Sequence, residues 1–140
     1  MKIRTGRLHK LAKHLRGKHL AHYKFNFCVY ARGKMDKDGN YCGTAGCAIG
    51  EFPAVWPKEW EWVLDDGSLY NVIHKNQVVR NYICYESICE FFSITEEQVN
   101  HLFISEIQKP TLYGGKYLKD NATADEVADN IIAFIEKVAS

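Results

Sequence analysis

Trp62-Val63-Leu64-Asp65-Asp66-Gly67-Ser68-Leu69-Tyr70-Asn71-Val72-Ile73 decides the fold class. Two short apolar runs, Trp62–Leu64 and Leu69–Ile73, flank the turn-rich Asp65–Ser68, and that pattern predicts a β-hairpin. The clear periodicities on either side of it are helical. Leu8, Leu11, Ala12 and Leu15 fall at i, i+3, i+4 and i+7 and predict an amphipathic helix over residues 5–16, ended by Gly17. Tyr85, Ile88, Cys89 and Phe92 share one face of a helix over about 80–92. Thr95-Glu96-Glu97-Gln98 has the form of a capping box, with Thr95 as N-cap and Gln98 reaching back, ahead of Val99, Leu102 and Phe103. Thr123-Ala124-Asp125-Glu126 is a second box, ahead of Val127, Ile131, Phe134, Ile135 and Val138. A hairpin among helices in 140 residues predicts one α+β domain over 1–140, with four or five helices packed around a small antiparallel sheet or hairpin.

The segments between are less regular. Phe25, Phe27 and Val29 alternate within Lys24–Tyr30, which predicts a strand, and the turn-rich Gly33–Gly39 follows. Pro53 and Pro57 are expected to break the chain near Trp56, Trp60 and Trp62. Ser105–Ala122, with Pro110 and Gly114-Gly115, reads as an extended loop, and loops of that length are commonly functional or mobile.

Composition bounds the function classes. An apolar fraction of 46% is that of a globular protein rather than a disordered one. No run of 18 apolar residues occurs, so no transmembrane helix and no membrane partner are expected. Met1-Lys2-Ile3-Arg4 is not followed by an apolar stretch of the secretory kind. Five cysteines without such a signal predict reduced thiols in a cytoplasm, and the odd count argues against a closed disulfide framework. The net charge of +1 hides an asymmetry, because residues 1–34 carry ten Lys or Arg and no acid. The remaining residues hold all 17 acids against eight bases. Such a segment either attracts an anionic or acidic partner or lies against the acidic remainder of its own fold. His9, His14, His19 and His22 recur there, but a spacing of five turns successive side chains about 140° apart on a helix, so they are expected as surface histidines rather than metal ligands.

Cys42-Gly43-Thr44-Ala45-Gly46-Cys47-Ala48-Ile49-Gly50 is the most distinctive short motif, with seven of nine residues Cys, Gly or Ala. It is expected to open a short helix over about 44–50. The layout of leucine-bearing first helix, aromatic strand, this motif, Phe91–Thr95 with Leu102-Phe103, and threonine-capped last helix resembles a family of small, largely uncharacterised bacterial and bacteriophage proteins. That family shares Cys-Gly-Thr-x-x-Cys-x-x-Gly, and the strongly basic first helix is a departure from its pattern. The resemblance implies an α+β fold and a cytoplasmic compartment, and carries no established activity.

Four kinds of chemistry are open to these residues. Backbone N–H groups of Gly43, Thr44 and Gly46 at a helix start would favour an anion, although close packing explains small residues equally. Cys42/Cys47 and Cys84/Cys89 are two Cys-x4-Cys pairs, but i, i+5 thiols on helices diverge, so buried free thiols are expected and no metal or other cofactor. Cys42 before a helix start, with His74 or His101 as base, is the alternative reading of a cysteine-dependent hydrolase. Trp62, Tyr70 and Tyr113 lie in or beside turns, where they would stack on a ring, with Arg4, Arg7, Lys10 and Arg32 supplying positive charge. Together these predict a non-catalytic binding protein. Its partner is expected to be an anionic, nucleotide-like small molecule, or an acidic or nucleic-acid macromolecule of a host that a phage protein would sequester or block. No catalytic residue is assigned.

Overall fold

Leu8, Leu11, Ala12 and Leu15 form the fully buried stripe of helix α1, Thr5–Arg16, in the computed structural model of the chain. The structure describes residues 2–17, 24–25, 31–32, 45–46, 48–66, 69–76, 85–104, 106–119 and 122–139, with backbone alone at 24–25, 31–32, 45–46, 62–66, 69–71 and 139. Lys13, His14 and Arg16 occupy the last turn of α1, where cations offset the helix dipole. The N–H of Gly17 closes that turn by donating to the carbonyls of Lys13 and His14, both at 3.1 Å.

The fold is α+β, with six helices and one small sheet among the described residues. Strands β1 (Lys24–Phe25), β2 (Ala31–Arg32), β3 (Ala45–Gly46), β4 (Trp60–Asp66) and β5 (Leu69–His74) lie in the order β1-β3-β2-β5-β4. The β1–β3 pair is parallel and the others antiparallel. The expected hairpin is its longest part, starting two residues earlier than the pattern of apolar runs, with Trp60 opposite His74.

The glycine motif differs from expectation. Ala45–Gly46 form β3, paired on both sides, with Gly46 opposite Phe25 and Ala31. Ala45–Gly46 form no helix; after them, helical structure among the described residues begins with the 3-10 turn Ile49–Glu51 and continues as α2, Phe52–Val55. Pro53 does not break this helix. It occupies the first turn, where a missing N–H leaves no intrahelical bond unmade.

Helix α3, Tyr85–Phe92, leads through Ser93, with φ of 56°, into α4, Glu96–Phe103. The Thr95 hydroxyl accepts from the Gln98 N–H while the Gln98 side chain accepts from the Thr95 N–H, which is the expected box. Thr123 and Glu126 form the same reciprocal pair before α6, Ala124–Ala139. Helix α6 lies along α1 and buries Val127, Ala128, Ile131, Phe134 and Ile135.

Phe52 stands at the centre of the core. Its ring meets those of Trp56, Trp60, Phe92 and Phe103 edge-on at 5.0–5.7 Å, the arrangement aromatic quadrupoles favour. Trp56 and Trp60 are therefore core residues. Glu51 is buried in the same region and accepts from or pairs with His14 Nε2 at 2.8 Å. His14 is thus tied to a buried carboxylate rather than standing free on the surface; His9 is exposed, and His19 and His22 lie outside the described residues.

The segment expected as an open loop is pinned. It contains the one-turn helix α5, Pro110–Tyr113, and two glycines at φ of 80° and 77°. Buried Asn130 holds it from α6, its Oδ1 accepting from the Lys116 N–H at 2.9 Å and its Nδ2 donating to the Lys116 carbonyl at 2.8 Å. Buried Gln108 accepts from the Leu118 N–H and donates to the carbonyls of His101 and Ile104. Among the described residues no helix is long and apolar enough to cross a membrane.

Candidate functional site

The start of α1, the turn before β4, the end of β5 and one face of α3 border a solvent-open cavity of about 420 Å³. It is lined by Arg4, Arg7, Lys58, Glu59, His74, Lys75, Asn76, Ser87, Glu90 and Phe91. Short-range bonds hold these segments together. The Arg4 N–H donates to the Phe92 carbonyl at 2.9 Å, tying α1 to the end of α3. The Lys75 N–H donates to the Glu59 carbonyl at 2.9 Å, and Lys75 Nζ to the Pro57 carbonyl at 2.8 Å, closing the open end of the hairpin. Ser87, Glu90 and Phe91 sit at i, i+3 and i+4, so α3 presents all three on one side.

Arg7 is the most firmly placed cation. Its guanidinium carbon lies 4.0 Å from the Phe91 ring centroid, and Nη1 donates to the Phe91 carbonyl at 2.6 Å. Burial and the neighbouring Arg4 push its pKa down and Glu59 opposes them, which leaves a guanidinium charged at any ordinary pH. His74 stands edge-on to Trp60 at 4.9 Å, and its Nδ1 accepts from the Asn76 N–H at 3.2 Å, which keeps its proton on Nε2. Burial lowers its pKa, with Glu59 and Glu90 raising it and Arg7 lowering it. The ring is accordingly neutral near pH 7. Four cations against two carboxylates leave the cavity net positive, a field that concentrates anions.

Of the residues that the sequence singled out, Arg4, Arg7 and His74 line this cavity, and Arg32 lies in β2, described by backbone alone. Lys10 is exposed on α1, outside the lining. Tyr113 belongs to another cluster: its hydroxyl donates to Glu97, and its ring packs 5.0 Å from His101 and 5.7 Å from Phe134. Burial and Glu97 push its pKa up to about 12. Gly46 lies in β3, Trp62 in β4 opposite Val72, and Tyr70 in β5 opposite Leu64, each described by backbone alone. Cys42, Gly43, Thr44, Cys47 and Cys84 lie outside the described residues, and Cys89 is a half-buried free thiol on α3.

His101 is fully buried. Its Nδ1 accepts from the Lys109 N–H at 2.9 Å, and Nε2 has no hydrogen-bond partner. Burial pushes its pKa down to about 4. It anchors the α5 segment rather than presenting a base to solvent.

Lys58, Glu59, Lys75, Asn76, Ser87, Glu90 and Phe91 were not distinguishable as site residues in the sequence. The one local signal is the Ser87/Glu90/Phe91 spacing, which puts two polar groups at the edge of an apolar helix face. No family model, curated protein or solved structure matches the chain.

Proposed function

We propose that this protein binds a small anion in the cavity between α1, the hairpin and α3. The observation that carries this reading is the convergence of Arg4, Arg7, Lys58 and Lys75 on one open cleft, with Arg7 held in place by Phe91. A guanidinium fixed before the ligand arrives loses little side-chain entropy on binding and offers a planar fork to phosphate or carboxylate. The Phe91 ring is covered by Arg7, so this cavity recognises charge rather than stacking on a base. In a chain of the phage-protein kind that the sequence resembles, such a pocket serves to sequester a small host molecule.

Calorimetric titration with pyrophosphate, a compact probe of high charge, tests the reading. Binding should weaken with added salt, as expected for a charge-led contact. Lys58→Gln should weaken it several-fold; Lys58 is exposed and its side chain makes no hydrogen bond or ion pair among the described residues, so the fold is left intact. No detectable binding at low salt, or binding indifferent to both salt and Lys58→Gln, would overturn the proposal.

A further inference from the structure

The cavity holds charges of both signs. Glu59 and Glu90 line it with Arg4, Arg7, Lys58 and Lys75. Among the described residues the side chains of Arg4, Lys58, Glu59 and Glu90 make no hydrogen bond or ion pair, although all four share one wall system. A site built for a simple anion gains nothing from carboxylates, since like charge in the same cavity repels the ligand. Both carboxylates also act on the same inner residue: each is an electrostatic neighbour of His74, and Glu59 of Arg7. Both line the cavity, Glu59 half-buried and Glu90 exposed. Burial lowers the pKa of His74 against the opposing pull of Glu59 and Glu90, and the Asn76 N–H on Nδ1 leaves its proton on Nε2. Ser87 and Asn76 add groups able to meet a polar linker.

From this we infer that the ligand is a small zwitterion, whose phosphate or carboxylate meets the Arg7 side of the cavity and whose ammonium meets Glu59 and Glu90. The inference rests on the anion-site reading above and narrows it. A volume of about 420 Å³ suits a free small molecule. An ammonium facing two carboxylates adds charge-assisted hydrogen bonds that a matched ligand without nitrogen lacks.

Two matched pairs test it: O-phosphoethanolamine against ethyl phosphate, and 4-aminobutyrate against butyrate. Each pair differs by one ammonium group, and the two pairs distinguish a phosphate from a carboxylate head. The amine-bearing member of at least one pair should bind about tenfold tighter or more, on the scale of a hydrogen bond to a charged group. In the Glu59→Gln/Glu90→Gln double variant that ratio should fall to about one. Equal binding within both pairs, or a preference that survives the double substitution, overturns the zwitterion while leaving the anion site standing. No binding by any of the four compounds overturns the zwitterion, and the pyrophosphate titration then decides separately whether the anion site stands.

Discussion

The Arg7 guanidinium stacks on the Phe91 ring and donates to the carbonyl of the same residue. One side chain of α1 thereby reads both the face and the backbone of a residue 84 positions away on α3. The contact fixes the angle at which α1 meets α3, and it orients the cation that dominates the cavity. Arg7→Met should lose the hydrogen bond and the ring contact and lower stability by about 1–2 kcal/mol. Arg7→Lys keeps the charge but not the planar fork, and should recover stability only in part. Urea denaturation of the three proteins checks the order.

His101 should make the fold acid-sensitive. Its pKa is about 4 in the folded protein against an ordinary 6.5. The folded state therefore resists the proton that the unfolded chain accepts, so stability is full above about pH 6.5 and falls as pH drops toward about 4. The total effect is on the order of 3 kcal/mol. His74, lowered in the same direction, adds to it. Glu97 is held low by Lys109 and Tyr113, and Glu126 by Thr123 and Lys116, so their contributions are lost only below the ordinary carboxylate pKa of 4.5. Urea midpoints between about pH 7.5 and pH 5 isolate the histidines. His101→Leu should flatten that dependence, and an equal slope in the variant would contradict the account.

Gly115 has φ of 77°, and a Cβ there would run into the Asn130 side chain. Asn130 is buried and already satisfies both backbone groups of Lys116, so it has no alternative position that preserves its bonds. Gly115→Ala should cost about 2 kcal/mol or more from the backbone conformation and the collision together. Thermal unfolding measures it.

The two capping boxes should behave as ordinary N-caps. Thr95→Ala removes the acceptor for the Gln98 N–H, and Thr123→Ala the acceptor for the Glu126 N–H. Each should lower stability by about 1 kcal/mol. The sites serve different helices, so the double variant should lose roughly the sum.

What the sequence made legible was what local rules determine. The leucines of α1, both threonine boxes, the apolar stripe of α6 and the hairpin each carry their signal within one or two turns of chain. Strand β1 falls within the alternation that predicts a strand over Lys24–Tyr30, whereas β2 and β3 are two residues each and exist through pairing with other segments, which no local periodicity records. Gly46 was misplaced for that reason: small residues looked like a helix start, and partners at Phe25 and Ala31 make them a strand. Asn130 and Gln108 read as ordinary polar residues, yet they hold the α5 segment by satisfying its backbone. The cavity draws its residues from Arg4 to Phe91, so only Arg4 and Arg7, through their charge, and His74, through its chemistry, stood out beforehand.

The most direct test of the anion site is where binding is felt. In a two-dimensional amide NMR titration with pyrophosphate, the largest shifts should fall at Arg7, Lys58, Lys75, Asn76 and Ser87, the segments that line the cavity. They should be absent at Tyr113 and Lys116, which belong to the α5 segment. Shifts centred on that segment, or none at all at low salt, would contradict the account.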